Sequence, residues 1–113
     1  MPYIAINTVQ ELSETQKEKI KTDLGRLMSI IPTKTEAGLL IDFSGGHTLY
    51  KGGVKVDGAF IDIRIFGKSE LEPKALYTVE VFSLLNRELG LKKDNMYLTI
   101  SEFENWGSRG ELR

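Results

Sequence analysis

Residues 59–66 read Ala59-Phe60-Ile61-Asp62-Ile63-Arg64-Ile65-Phe66, and this alternation decides the fold. Ile61, Ile63 and Ile65 fall on one face of a β-strand, while Asp62 and Arg64 point to the other. Downstream, Ser69-Glu70-Leu71-Glu72 can cap a helix, or Glu72 can precede Pro73 in the favoured first helical position. Ala75, Leu76, Val79, Phe82, Leu85 and Leu89 form the expected apolar stripe, and Gly90 is the stop signal. From Met96 to Phe103 the alternation returns, with Met96, Leu98 and Ile100 opposed to Tyr97, Thr99 and Ser101. Strand, helix, strand implies a parallel pair joined by a right-handed crossover.

The N-terminal half repeats this plan. Residues 2–7 read as a strand with Ile4 and Ile6 on one face. Ser13-Glu14-Thr15-Gln16 is a capping-box pattern. The helix it starts buries Ile20, Leu24, Leu27, Met28 and Ile31, leaves Glu14, Lys17, Glu18, Lys21 and Asp23 mostly in solvent, and ends at Pro32. Ala37 to Phe43 is the expected second strand. Sliding the first half until Ile4 falls on Ile63 also places Ile6 on Ile65, Lys34 on Lys93, Leu39 on Leu98 and Ile41 on Ile100. The expected fold class is α/β (α+β), one domain over residues 1–113 with pseudo-repeats at about 2–43 and 59–103. Two βαβ units make a four-stranded mixed sheet with both helices on one face. The Gly-rich stretch Ser44–Gly58 between them suits a short, irregular hairpin. It is not a phosphate loop, because no helix follows it directly.

Composition narrows the function. The 113 residues carry a net charge of -1 with both signs interspersed, which argues against nucleic-acid and membrane-surface partners. There is no cysteine, so thiol catalysis is excluded. The single His47 removes any His-based metal site, and no cofactor is expected. No apolar run reaches the roughly 18 residues of a membrane span, and a cytoplasmic protein is the expectation.

One face of the sheet is left without helices. It would show Tyr3, Ala5, Asp62, Arg64, Tyr97 and Thr99, a surface that further copies of the chain would be expected to cover. The start, Met1-Pro2-Tyr3-Ile4, adds chemistry. With Met1 removed, Pro2 would carry a free secondary amine leading straight into the first strand. A fixed, partly desolvated amine has a lowered pKa and can serve as a general base near neutral pH. Taken alone, these residues suit an ordinary first strand better than a catalytic amine.

Several pieces of the chain, taken in order, resemble the tautomerase superfamily, and within it the macrophage migration inhibitory factor branch, also called phenylpyruvate tautomerases. They are Met1-Pro2-Tyr3-Ile4, Pro32-x-Lys34, Tyr50-x-Gly52-Gly53, Ile65-x-Gly67-Lys68 and Met96-Tyr97-Leu98-Thr99-Ile100. The resemblance implies a homotrimer with the three sheets wrapped into a barrel and active sites between subunits. It implies that the Pro2 amine moves a proton between carbon and oxygen, that Lys34 binds the carboxylate of a small substrate, and that the backbone N–H of Ile65 assists. Tyr97 would come from the next subunit. Thr99 stands where the family often has Asn, which offers a hydroxyl in place of an amide.

The residues support the same chemistry on their own terms. Exchange between the keto and enol forms of an α-keto acid needs a base, a cation for the carboxylate and a dry wall near the oxygen. Pro2 and Lys34 can supply the first two, and Tyr97 and Trp106 can wall an aromatic substrate. Read without the family, Lys34 is equally a solvated turn lysine, and the two aromatics equally pack a subunit interface. The expected activity is a keto–enol tautomerase of phenylpyruvate-like acids. The alternatives are a trimeric binding or signalling protein with a vestigial pocket, or a hydratase or decarboxylase of small unsaturated acids.

Overall fold

Strand β5 (Ala59–Phe66) lies inside the main sheet, and its isoleucines at 61, 63 and 65 are all fully buried in the computed structural model, which describes residues 1–113. The remaining elements are β1 (Pro2–Thr8), α1 (Glu14–Leu27), β2 (Leu40–Ser44), β3 (Leu49–Lys51), β4 (Val54–Val56), α2 (Leu71–Leu89), β6 (Met96–Phe103), β7 (Gly107–Ser108) and β8 (Glu111–Leu112). The sheet order is β2-β1-β5-β6. Each βαβ unit gives a parallel pair, β1 with β2 and β5 with β6. The two units meet antiparallel at β1 and β5, which sets Ile4 opposite Ile63 and Pro2 opposite Ile65. Both helices pack on one face. Ile20, Leu24 and Met28 from α1 and Tyr77, Val81, Leu84 and Leu85 from α2 close over the isoleucine layer.

Local chemistry sets the joints. Ser13 Oγ accepts from the Gln16 N–H at 3.1 Å, and the Gln16 side chain accepts from the Ser13 N–H at 2.9 Å, completing the expected capping box. The Gly-rich stretch forms the β3–β4 hairpin, whose two-residue turn takes left-handed backbone at Gly52 (φ 58°) and Gly53 (φ 80°). Gly58 answers to space. A Cβ there would collide with the carbonyl oxygen of Asn95, so the start of β5 and the approach to β6 need a residue without one. No helix of the chain is long and apolar enough to cross a membrane.

Three expectations are corrected. The second strand starts at Leu40, because Glu36–Gly38 winds into a single 3-10 turn. On α2 the buried face is Tyr77, Val81, Leu84, Leu85 and Leu89, whereas Leu76 and Val79 are 50% and 56% exposed. The helix carries two apolar stripes, and the polar hydroxyl of Tyr77 hid the inner one; burial satisfies it by donation to the Leu24 carbonyl at 3.1 Å.

Asp23 is the third. Its side chain is buried, not solvated, and sits where α1 meets α2, with Lys19 Nζ at 3.1 Å, Arg87 at 3.5 Å and Arg26 at 3.7 Å. The hydrogen bond from Lys19, reinforced by the charges of Lys19, Arg26 and Arg87, holds its carboxyl below the usual carboxylate range against the opposing effect of burial. A depressed native pKa stabilises the fold above the unfolded value and loses that contribution as pH falls through the native one. The cations are more than half exposed, so solvent screens part of the effect. Asp23→Ala is expected to cost about 1.5 kcal/mol at neutral pH. Urea unfolding as a function of pH should show the loss shrinking below about pH 4.

Candidate functional site

The turn after α1 delivers Lys34. Ile31-Pro32-Thr33-Lys34 closes with the Lys34 N–H donating to the Ile31 carbonyl at 3.1 Å, and Thr33 sits at φ 69°. Pro at the second place and positive φ at the third is the type II pattern. The result turns the Lys34 side chain inward until only 8% of the residue is exposed. Its ammonium donates to the Phe66 carbonyl at 2.6 Å. No carboxylate lies within ion-pair distance of it. A buried cation held by a neutral carbonyl keeps most of its charge available for an anion.

Pro2 starts β1, where a strand tolerates a residue without an N–H. It is buried and pairs across to Ile65, the neighbour of the carbonyl that holds Lys34. The pairing and the turn thus bring Pro2, Lys34 and Ile65 together at one corner of the sheet. The terminal amine, on Met1, is pushed below its ordinary value of 8.0, first by burial and then by the charge of Lys34.

A cleft of about 280 Å³ opens over this corner, bounded by Met1, Pro2, Tyr3, Ala37, Gly38, Leu40 and the segment Trp106–Arg109. Its far wall is the β7–β8 hairpin. That hairpin is closed by mutual backbone hydrogen bonds between Trp106 and Arg113, at 3.3 and 2.9 Å. Ser108 Oγ accepts from Arg113 Nε at 2.8 Å and donates to the Met1 sulfur at 3.0 Å. The Met1 side chain therefore occupies space against the Pro2 corner, and its removal enlarges the cleft. Trp106 also packs against Phe103, with ring centroids 6.0 Å apart.

Of the six expected site residues, Pro2 and Trp106 line this cleft, while Lys34 and Ile65 lie beside Pro2 at the same corner of the sheet without lining it. Tyr97 and Thr99 lie elsewhere. In register, Pro2 stands level with Ile65 and Glu102, whereas Tyr97 is five residues further along β6, roughly 17 Å at strand rise. Both side chains are exposed on the face away from the helices. Tyr97 edges a second, mostly apolar hollow with Leu49, Tyr50, Val56 and Phe60. The one cation there, Lys51, sits 5.6 Å from the Tyr97 ring centre and is already bonded to the Asp94 carbonyl, which leaves that hollow without a free charge for a substrate. Arg64 on the open face is likewise used: it pairs with Asp62 at 3.0 Å and lies over the Tyr3 ring, while the Tyr3 hydroxyl donates to Asp42 at 2.9 Å. Sequence reasoning missed Gly38, Ser108 and Arg109 as cleft residues. The signal for the last two was the stretch Asn105–Gly110, which reads as a turn with polar ends closing over the sheet or onto the next subunit.

No protein-family model matches the chain, and no curated protein matches it by sequence. Solved structures do. Leishmania major MIF2 superposes with a TM-score of 0.93 at 15% identity, over 100% of this chain and 97% of that one. A macrophage migration inhibitory factor-like protein from Entamoeba histolytica gives 0.85 at 22% identity, over 99% and 98%. Pt0534, crystallised after inactivation by 2-oxo-3-pentynoate, gives 0.82 at 15% identity, over 96% and 92%. The chain thus has the fold of macrophage migration inhibitory factor-like and tautomerase-superfamily proteins.

Proposed function

We propose that the chain is a keto–enol tautomerase of phenylpyruvate-like α-keto acids, with the amine of a processed N-terminal Pro2 as its base. The observation that carries this reading is the buried Lys34 ammonium, free of any carboxylate, at the corner where Pro2 begins β1. Lys34 holds the substrate carboxylate. The Pro2 nitrogen takes a proton from the carbon next to the ketone as the C=C bond forms, and returns it to the oxygen, which becomes the enol hydroxyl. The reverse transfer gives the ketone. The cleft walls, Trp106 among them, keep water from competing for the proton.

The active unit is a homotrimer with sites between subunits. Two features support it: Tyr97 and Thr99 lie too far from Pro2 to serve the same cleft within one chain, and the open sheet face carries Leu40, Tyr97 and Phe103 exposed. Tyr97 and Thr99 of one copy then complete the cleft of the next.

A base must be unprotonated to accept a proton, so a lowered amine pKa enlarges the active fraction at neutral pH. Burial and the charge of Lys34, which lower the Met1 amine, would act on the Pro2 amine once Met1 is removed, so kcat/KM is expected to rise with pH through a midpoint below the value of a free prolyl amine. A plateau reached only above that value contradicts the assignment. Pt0534 is inactivated by 2-oxo-3-pentynoate, which makes that acid a probe for this chain. The Pro2 nitrogen would add to the alkyne carbon conjugated with the ketone, its proton passing to the neighbouring carbon. The adduct gains the full mass of the reagent, and peptide mapping should place it on Pro2.

A further inference from the structure

Most glycines of this chain have a visible reason to be glycine. Six hold left-handed backbone, which a Cβ resists. At Gly25, Gly45 and Gly58 a Cβ would fall within 3.0 Å of a neighbouring atom. Gly38 and Gly107 are the two that remain, and neither has a positive φ. A Cβ at Gly38 would come no closer than 3.7 Å to its surroundings, and one at Gly107 would meet nothing within 4 Å. A glycine of this kind only adds freedom to the unfolded chain, so alanine would serve stability better at both positions.

Both of these glycines line the Pro2 cleft, one on each wall. Gly38 ends the 3-10 turn Glu36–Gly38, and Gly107 begins β7 on the hairpin that forms the far wall. A Cβ at Gly38 would touch Met1 at 3.7 and 3.9 Å and the Cδ of Pro2 at 3.9 Å. Once Met1 leaves, the Pro2 ring is the only one of these contacts left, so a side chain at 38 would grow toward the proposed base. Ala37, next to Gly38, is small as well. The cleft thus keeps a width beside Pro2 that neither the backbone nor the core asks for.

We infer that Gly38 and Gly107 are specificity-determining residues of the cleft, and that they admit 2-oxo acids whose group on the carbon beside the ketone is bulkier than a phenyl ring. A side chain at either position fills the space that group needs and shifts the preference toward smaller acids. The inference rests on the tautomerase reading and narrows its substrate class.

Binding tests this without turnover. The processed protein is titrated by calorimetry with 3-(2-naphthyl)propanoate and with 3-phenylpropanoate, neither of which has a ketone to enolise. The naphthyl acid is expected to bind about tenfold more tightly, through its added apolar area. Gly38→Leu and Gly107→Val should each lower that affinity ratio by about tenfold, because the larger ring no longer fits. Gly38→Ala should lower it by about threefold and does not depend on a large side chain being tolerated. Gly38→Ala and Gly107→Ala should both unfold in urea at the parental midpoint or above. The inference falls if the parent protein binds neither acid or shows no preference, or if the ratio stays unchanged in Gly38→Leu, Gly107→Val or Gly38→Ala. It falls also if either alanine variant unfolds at lower urea, since packing would then require the glycine. A size preference that appears in a protein showing no proton exchange counts against Pro2 as base and leaves the role of the two glycines standing.

Discussion

Replacing Pro2 by alanine is expected to slow enol–keto exchange of phenylpyruvate by about a hundredfold, mostly in kcat. The processed variant still begins with an amine, but a primary one on a flexible residue. The pyrrolidine ring fixes the backbone at the first position of β1, opposite Ile65 and close to the Phe66 carbonyl that holds Lys34. Losing that ring lets the nitrogen wander from the line between substrate carbon and oxygen, and misplacement of this kind falls on the chemical step. Lys34→Met should behave differently, raising KM first, because Lys34 binds the carboxylate in ground and transition states alike. The decay of enol absorbance measures both. Equal rates for the parent and Pro2→Ala proteins would remove Pro2 from the mechanism.

Ile63→Ala is expected to cost about 4 kcal/mol of stability, a large share of the roughly 5–15 kcal/mol of a domain this size. Ile63 is fully buried at the centre of the sheet, opposite Ile4 on one side and Ile100 on the other, beneath both helices. Rigid neighbours on every side leave the cavity little room to collapse. Urea unfolding should show a lower midpoint with an unchanged slope. Leu76→Ala is the internal contrast. Half exposed on the outer face of α2, it should change stability by no more than about 0.5 kcal/mol. The reverse ranking would mean that α2 packs through its other stripe.

Much of the fold could be read in the sequence because period-2 alternation is a local signal. Residues 59–66 and 96–103 alternate cleanly, and both strands form with the expected boundaries. The capping box at Ser13 was legible for the same reason: its partners lie three residues apart. Failures came where a distant contact decided the outcome. Asp23 reads as a surface acid until Arg87, far along the chain, arrives on the next helix. Tyr77 reads as a poor core residue until the Leu24 carbonyl takes its hydroxyl. Leu76 and Val79 look like core because spacing along one helix cannot say which of two apolar stripes meets the sheet.

The site divides in the same way. Pro2 and Lys34 carried their chemistry in residue type and position, and strand pairing with one strained turn bring them to a single corner. Arg109 did not stand out: the stretch Asn105–Gly110 reads as a turn closing over the sheet or onto the next subunit, and that pattern does not single out which of its residues lines a cleft. The separation of Tyr97 and Thr99 from that corner follows from strand register, which emerges only once β5 and β6 are aligned.

Everything proposed for the chemistry depends on a free nitrogen at Pro2. The intact mass of the protein purified from cells tests it most directly. A chain lighter by one methionine residue is the expected result. A full-length mass, with Met1 still joined to Pro2 as an amide, would contradict it, because that nitrogen could then accept no proton.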